Sequence, residues 1–414
     1  MKILLIHQYY LEKTDGGGSR WNEMTKVWAE AGHEITVLAG MSHYASGKKN
    51  PRYKGKCFYD EREFEKGIRV VRSHVSELYN VNFLGRVWGY FSFVFSSIWA
   101  GFFFAKEKYD IIVVTSPPLF VGITAYILSK LKKIPFVFEI RDLWPESAID
   151  TGVVTNKTVI SLAYKFEDFI YRKATLINVL TPAFRTALIE KKKVSKDKII
   201  FIPNAADFSL VDDILPDFNL QEFRNKHDIG LDRFVITYVG AHGIANHLIH
   251  AVKTAELLQD TNVLFLMIGE GMQKSMLRGE VEKRGLNNIR FLDAVPKKEV
   301  FKFILASDMG ASILKKVDTF KTVYSNKTFD YMSCKKPIFM AIDGVSRELL
   351  EQANAGIYVE PENAIDFAEK IKFYLNQPEL VLKQGEAGYQ FAIENFDRTV
   401  LASKYLEALK FLKK

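Results

Sequence analysis

Short apolar runs alternate with amphipathic helical stretches along the whole chain. The runs are rich in Val, Ile and Leu and are bounded by polar or glycine-bearing segments, as buried strands are. This alternation predicts parallel sheets with helical crossovers, and therefore an α/β protein built from doubly wound, Rossmann-like domains. Predicted strands cover residues 3–6, 35–38, 68–71, 111–114, 136–140, 176–179 and 199–202, and then 235–239, 264–268, 289–292, 309–313, 337–340 and 357–359.

The number of strands and the length of 414 residues exceed what one hydrophobic core usually supports. Residues 203–233 are richer in Asp, Pro and Asn than their flanks, so we place the linker there. We expect a first domain at 1–205 and a second at 206–390. Residues 391–414 become amphipathic and predict a closing helix.

One stretch departs from the alternation, because residues 87–105 contain no charged side chain. Its length would suit a transmembrane helix, but a span would put predicted strands of one sheet on opposite sides of the bilayer. The stretch has Arg86, Lys106 and Lys108 at its ends and the aromatic run Phe102–Phe104, which favour a helix near 83–105 that associates with the membrane interface. An ordinary buried helix and a true span are the alternatives.

Charge distribution favours the same interpretation. The net charge is +8, and residues 1–200 hold 30 Lys and Arg against 20 Asp and Glu. A basic half suits an anionic membrane surface or nucleic acid, and no nucleic-acid-binding signature is present. Two cysteines indicate a reducing compartment, and MKILLIHQYY reads as a strand rather than a signal peptide. We expect a cytoplasmic protein, peripheral on the inner face of the cytoplasmic membrane, without a nucleic-acid partner.

Two motifs in the first half could bind a ligand. Gly17, Gly18 and Arg20 follow the first strand, where glycines allow close backbone approach and a helix start favours anions. A flexible connection is the simpler alternative. Arg141 and Asp142 lie in FEIRDLWPES, directly after a predicted strand, where open α/β sheets place ligand crevices. A surface salt-bridge cluster would explain those charges without a ligand.

Three motifs in the second half also follow predicted strands. YVGAHGIANHL contains Gly243, and IGEG contains Glu270. Asn326, Lys327 and Asp330 fall within about one helical turn in TVYSNKTFDYMSCKKPI. An amide, a cation and a carboxylate so close together suit the diphosphate and ribose of a nucleotide sugar.

The stretch 322–338, which ends in a small-residue turn and Pro337, resembles the donor-site motif of GT-B glycosyltransferases of family four. The resemblance extends across both halves of the chain. The motifs FEIRDLWPES and Ser116–Pro118 are most similar to the corresponding motifs of bacterial enzymes that build surface polysaccharide, including N-acetylfucosaminyl transferases. Thr322 replaces the first acidic residue of the motif. Ala241 and His247 stand where many members have an Arg and a Lys.

The resemblance implies a GT-B fold, with two domains facing a central cleft and a C-terminal helix crossing back. It implies a retaining transfer from a nucleotide-diphosphate sugar, UDP-linked, to a polyprenyl-diphosphate-linked saccharide in O-antigen or capsule synthesis. Thr322 cannot act as a carboxylate toward the transferred sugar, so that contact is lost, is replaced by Ser325 or Asn326, or is unnecessary for a deoxy sugar such as N-acetyl-L-fucosamine. The implied catalytic residues are Arg141, Asp142 and Lys327, and the implied donor-binding residues are Gly17, Gly18, Arg20, Gly243, Glu270, Asn326, Lys327 and Asp330.

No Asp-x-Asp occurs in the chain, so we expect no metal at the diphosphate and no cofactor beyond the substrate. Two other functions stay open. A sugar-nucleotide epimerase could use the same fold, although a soluble epimerase has no use for the apolar segment. A catalytically inactive, membrane-associated subunit that binds sugar nucleotides would explain the departures at positions 241, 247 and 322.

Overall fold

The computed structural model describes residues 1–13, 20–42, 48–80, 83–150, 152 and 154–413. The strands in this part of the chain are β1 Lys2–Ile6, β2 Glu34–Gly40, β3 Phe58–Glu65, β4 Ile68–Ser73, β5 Ile111–Ser116, β6 Phe136–Ile140, β7 Leu176–Val179, β8 Ile199–Phe201, β9 Phe234–Val239, β10 Val263–Ile268, β11 Ile289–Leu292, β12 Met309–Ile313, β13 Ile338–Ala341 and β14 Gly356–Tyr358. The α-helices are α1 Arg20–Glu30, α2 Phe83–Phe103, α3 Val121–Lys132, α4 Glu146–Asp150, α5 Lys157–Lys173, α6 Pro182–Glu190, α7 Phe208–Asp212, α8 Leu220–Lys226, α9 Ile249–Glu256, α10 Lys274–Lys283, α11 Lys297–Leu305, α12 Asn326–Ser333, α13 Val345–Ala353, α14 Ala364–Leu375, α15 Pro378–Phe396 and α16 Arg398–Leu412.

The chain forms two compact units. The first contains the described residues up to Pro203 together with Thr399 onward, and the second contains Asn204–Arg398. In the first unit the sheet order is β3-β4-β2-β1-β5-β6-β7-β8, with Ile3 of β1 paired to Ile35 and to Ile111. All of these pairings are parallel except β3 with β4. Central strands are buried on both faces, which explains their continuous apolar runs.

The second unit has a six-stranded parallel sheet in the order β11-β10-β9-β12-β13-β14. Every residue of β10 is buried, again as expected for a strand covered by helices on both faces. The sheet order places the carboxyl ends of β10, β9 and β12 side by side. The predicted fold class, two Rossmann-like domains with parallel sheets, is confirmed.

The last helix packs on the first unit. Trp28 of α1 donates its indole N–H to the Ala402 carbonyl at 2.9 Å, and the Tyr405 ring lies 5.6 Å from the Trp28 ring. The predicted return of the C-terminal helix to the first domain is therefore seen. It starts at Arg398 rather than 391, because residues 391–396 continue α15, which belongs to the second unit.

Two other segments differ from the sequence-based expectation. β3 was not predicted, because its sequence FYDEREFE is charged on both faces and lies at the edge of the sheet. The linker was predicted at residues 203–233, but the chain from Asn204 onward contains α7 and α8 and belongs to the second unit. Phe208, Val211 and Phe223 are buried in its core, so apolar spacing outweighs the polar composition there.

Helix α2 is buried along one side and exposed along the other. Ser97 contacts Thr124 of α3 at 2.9 Å, and a Cβ at Gly101 would lie 2.4 Å from Leu128, so the two helices are closely packed. The exposed large side chains of α2 are Trp88, Phe95, Trp99, Phe102 and Phe103. An ordinary buried helix does not fit this exposure. Among the described helices, none combines the length and hydropathy needed to cross a bilayer.

Candidate active site

The loops that follow β9 and β10 pack directly against each other. His242 donates its backbone N–H to the Glu270 carbonyl at 2.8 Å, and Gln273 donates to the His242 carbonyl at 3.0 Å. A Cβ at Gly269, where φ is +148°, would lie 1.9 Å from the Gly240 carbonyl oxygen. Glycine is required there because two backbones meet without room for a side chain. The result is a rigid pair of backbone loops at the carboxyl edge of the sheet.

Lys327 lies at this edge. It is the second residue of α12, and its Nζ sits 4.8 Å from the centre of the Tyr238 ring on β9. A Cβ at Gly240 would be 3.7 Å from the same nitrogen, so the ammonium faces the start of the loop after β9. Burial lowers the pKa of Lys327 to about 8. Among the described residues no carboxylate lies within salt-bridge distance of it, which leaves its charge available for an anion.

Asp330 and Asn326 lie on the same helix. Asp330 is half-buried, and burial raises the pKa of its carboxyl to about 6. The charge of Asp207 raises this pKa further, whereas Lys297, which forms an ion pair with Asp207, lowers it. Asn326 is exposed at the helix start, and its side-chain oxygen accepts a hydrogen bond from Asn204. The structure thus brings together the amide, the cation and the carboxylate predicted for this motif.

The loop after β9 carries no positive side chain at neutral pH. Ala241 has no charge, and burial lowers the pKa of His242 to about 4. Burial also lowers the pKa of His247. Both shifts favour the neutral imidazole in the unliganded protein, so neither side chain is a strong source of positive charge for a diphosphate. Gly243 has extended backbone and begins the short turn Ile244–Asn246, so the loop offers backbone rather than cationic side chains.

Glu270 belongs to an ion cluster between the loops after β10 and β11. Its carboxylate lies 2.7 Å from the Lys274 ammonium, which also contacts Asp293 at 2.6 Å and the Leu292 carbonyl at 3.1 Å. Lys274 is buried, whereas both carboxylates are largely exposed. Lys274 and Asp293 were not predicted. The spacing of four residues between Glu270 and Lys274 was the available signal.

In the first unit, Arg141 and Asp142 follow β6 directly. Asp142 accepts a hydrogen bond from the Ser147 hydroxyl at 2.7 Å. Burial raises the pKa of Asp142 to about 6, and the nearby Glu146 adds to this increase. Arg141 is half-buried, and its charge contributes to the low pKa of the buried His7 imidazole, after burial itself. Both predicted residues therefore lie at the carboxyl edge of the sheet.

His7 and Gln8 were not predicted. They follow β1, which is separated from β6 by β5 in the sheet, and both side chains are almost completely buried. Within the part of the chain that the structure describes, neither amide atom of Gln8 has a hydrogen-bond partner. A polar pair directly after a buried strand was the signal that could have identified them.

Arg20 opens α1, close to the predicted helix start, and its guanidinium has partners within the first unit. Its guanidinium is buried and contacts the Glu139 carboxylate at 3.1 Å, and it also donates to the carbonyls of Ile202, at 2.8 Å, and Pro203. Asn178 donates to the same carboxylate at 2.8 Å. Arg20 therefore joins α1, β6 and the end of β8 inside the first unit, which favours a structural role over direct donor binding. The predicted Gly17 and Gly18 lie outside the described residues.

Two protein families match the chain. The family described as glycosyl transferase 4-like domain matches residues 15–205, and glycosyl transferases group 1 matches residues 219–391. A curated relative, the putative colanic acid biosynthesis glycosyl transferase WcaI of Escherichia coli, is 25% identical over 304 residues, which cover 72% of this chain and 74% of that protein.

Solved glycosyltransferase structures share the fold over nearly the whole chain. A glycosyltransferase from Rickettsia africae has a TM-score of 0.72 at 16% identity and covers 100% of this chain and 98% of its own. Anabaena HepE, solved with UDP and glucose, has a TM-score of 0.72 at 16% identity, with 99% of each chain covered. WaaG, a glycosyltransferase involved in lipopolysaccharide biosynthesis, has a TM-score of 0.70 at 15% identity and the same coverage.

Proposed function

The chain belongs to the GT-B glycosyltransferases, and from this premise we propose that it transfers a sugar from a UDP-linked donor to a polyprenyl-diphosphate-linked saccharide, with retention of configuration. The names of its relatives support a place in polysaccharide synthesis, since WcaI is named for colanic acid and WaaG for lipopolysaccharide. The structure of HepE with UDP supports the nucleotide.

The observation that carries this proposal is the position of Lys327. Lys327 is half-buried as a residue, its ammonium faces the glycine loop after β9, and Asp330 lies one turn later on the same helix. A cation beside backbone loops suits a diphosphate, and a carboxylate suits the hydroxyls of a ribose. In this assignment Asn326 and Glu270 also contact the nucleotide, whereas Gly243 presents its backbone to the phosphates.

The proposed chemistry needs little from the protein beyond position and charge. The bond between the sugar C1 and the diphosphate breaks, its electron pair stays with the nucleoside diphosphate, and the acceptor hydroxyl passes its proton to a phosphate oxygen. Lys327 stabilises the charge that develops on the leaving group, whereas Arg141 and Asp142 orient the sugar. Because a side-chain ammonium supplies positive charge, the proposed transfer requires no metal ion.

We assign the donor sugar to the N-acetyl-L-fucosamine class. The side chain at the first acidic position of the motif is Thr322, whose hydroxyl contacts the Thr319 carbonyl at 2.7 Å. A carboxylate that would bind a hydroxyl of the transferred sugar is therefore absent from position 322. The absence of this carboxylate should weaken the binding of a deoxy sugar least, because a deoxy sugar has fewer hydroxyls to be bound.

A lipid-linked acceptor places the enzyme at a membrane surface, and α2 supports this part of the proposal. Trp88, Phe95, Trp99 and Phe102 follow one another at helical spacing along its exposed side, with exposed fractions between 53% and 62%. Lys106 and Lys108 are exposed just beyond the helix. An aromatic stripe next to cations suits the boundary between headgroups and acyl chains of an anionic bilayer.

The proposal is tested by incubating the protein with UDP- and GDP-sugars and a polyprenyl-diphosphate-linked monosaccharide, and by reading the products by mass. We expect a lipid-linked disaccharide, formed faster from UDP-N-acetyl-L-fucosamine than from UDP-N-acetylglucosamine. NMR of the new linkage then reports retention or inversion. Turnover of UDP-N-acetylglucosamine alone would contradict the sugar assignment, and an isomerised sugar nucleotide without a lipid product would indicate an epimerase.

A further inference from the structure

The proposed donor site has one evident positive side chain at the loop after β9, which is Lys327. A leaving nucleoside diphosphate gains negative charge as the bond to the sugar breaks, and cations or N–H groups must stabilise it. Ala241 is uncharged, and burial favours the neutral imidazoles of His242 and His247, so these side chains supply little positive charge to the loop. A second cation would have to come from another segment at the same edge of the sheet.

Most cations near this edge already have carboxylate partners. Lys274 contacts Glu270 and Asp293 at 2.7 and 2.6 Å. In the segment after β12, Lys316 pairs with Glu360 at 2.5 Å, and Lys321 pairs with Asp318 at 2.9 Å. The described partners of these ammonium groups reduce the charge that they can offer to a ligand.

Lys315 differs from its neighbours. It follows β12, which lies next to β9, and its backbone N–H donates to the Ala245 carbonyl at 2.8 Å. This backbone hydrogen bond connects the segment after β12 to the loop after β9. The Lys315 side chain is exposed, and no described carboxylate lies within salt-bridge distance of it. Burial is the main cause of the lowered pKa of His247, and the charges of Lys315 and Lys253 contribute to it against the opposing effect of Glu362.

We propose that Lys315 is a second diphosphate-binding residue, which acts with Lys327 on the donor. Lys327 faces Gly240 at the start of the loop after β9, and the Lys315 backbone is hydrogen-bonded to Ala245 near the end of that loop. The loop between these positions would hold the diphosphate through backbone N–H groups, with an ammonium at each end. This inference rests on the proposed function and adds a residue to the same site.

The test compares Lys315→Ala with Lys316→Ala by calorimetric titration of UDP and GDP. Lys316 is a matched control, because it is the next residue, is also exposed and already pairs with Glu360. For the nucleoside diphosphate that the wild type binds, we expect Lys315→Ala to raise the Kd by about tenfold, which corresponds to about 1.4 kcal/mol. Lys316→Ala should stay within about twofold of the wild type. Lys315→Arg should recover most of the affinity, because it restores the positive charge.

The free nucleoside provides a second readout. Uridine or guanosine lacks the diphosphate, so its own Kd, after correction of the competition curve for the affinity of the displaced sugar nucleotide, should be the same for Lys315→Ala and the wild type. Equal diphosphate affinities for Lys315→Ala and Lys316→Ala would overturn the inference while the proposed function stands. A wild-type protein that binds neither UDP nor GDP would instead refute the proposed function and, with it, the inference.

Discussion

Replacing Lys327 with Met should remove activity and at the same time stabilise the protein. Burial lowers the pKa of Lys327 from 10.5 to about 8, which corresponds to about 3 kcal/mol that the charged side chain costs the native state. Met keeps the apolar contacts but loses the attraction between the ammonium and the Tyr238 ring, which contributes about 1 kcal/mol. We therefore expect the free energy of unfolding to rise by about 2 kcal/mol, and kcat to fall by about 10²-fold or more.

The pH dependence of this stability difference follows from the same pKa. Below pH 8, Lys327 is protonated in both the native and unfolded states, so the wild type carries the full cost of the buried charge. Above about pH 10.5, the side chain is neutral in both states and the cost disappears. The advantage of Lys327→Met should therefore be constant below pH 8 and shrink as the pH rises from 8 to 10.5. Donor affinity of the wild type should fall over the same range.

Urea unfolding followed by circular dichroism provides the assay. All five Trp residues lie within the first 150 residues, so Trp fluorescence follows the first unit and identifies its transition. The remaining transition reports the second unit, which contains Lys327. Asp330→Asn is the comparison variant, and it should lose much less turnover than Lys327→Met. If Lys327→Met were less stable than the wild type, or if Asp330→Asn lost more activity, the assigned role of Lys327 would be refuted.

Three further predictions concern other parts of the protein. Replacing Phe95 and Trp99 with Ser should weaken binding to anionic vesicles by about 30-fold, since each half-exposed ring contributes about 1 kcal/mol. Leu382 is also exposed but lies outside α2, so Leu382→Ser should not change vesicle binding. Unchanged sedimentation of the double variant with vesicles would argue against α2 as the membrane contact. Glu139→Gln should lower the free energy of unfolding of the first unit by about 3–5 kcal/mol, because it leaves the buried Arg20 without its carboxylate. Trp fluorescence during urea unfolding measures this change. A loss below about 1 kcal/mol, as expected for removal of an exposed ion pair, would mean that this pair contributes little. EDTA should leave the transfer rate unchanged, and a collapse on chelation would contradict the metal-independent site.

The sequence predicted the fold well because the central strands are buried on both faces. Continuous apolar runs such as Val263–Ile268 arise from that burial and are visible without a structure. The edge strand β3 lacks this signal, since most of its residues are at least partly exposed and one neighbour suffices to hold it. The start of the last helix was also placed seven residues early, because amphipathic spacing continues from α15 into α16.

The site was predicted where residues are close in sequence and less well where they are close only in space. Asn326, Lys327 and Asp330 share a single helix, so their spacing alone indicates a common site. Arg20 pairs with a carboxylate more than one hundred residues away, and nothing in its local sequence shows that partner. The charge state of His242 is similarly hidden, because it depends on burial between two loops and not on sequence neighbours.

The most direct test of the account is the release of nucleoside diphosphate with and without the lipid-linked acceptor. The wild type should release UDP from its sugar donor much faster when a polyprenyl-diphosphate-linked saccharide is present, and Lys327→Met should not, although it folds. Binding of the donor without acceptor-dependent release from the wild type would contradict the central claim and would indicate an inactive binding subunit.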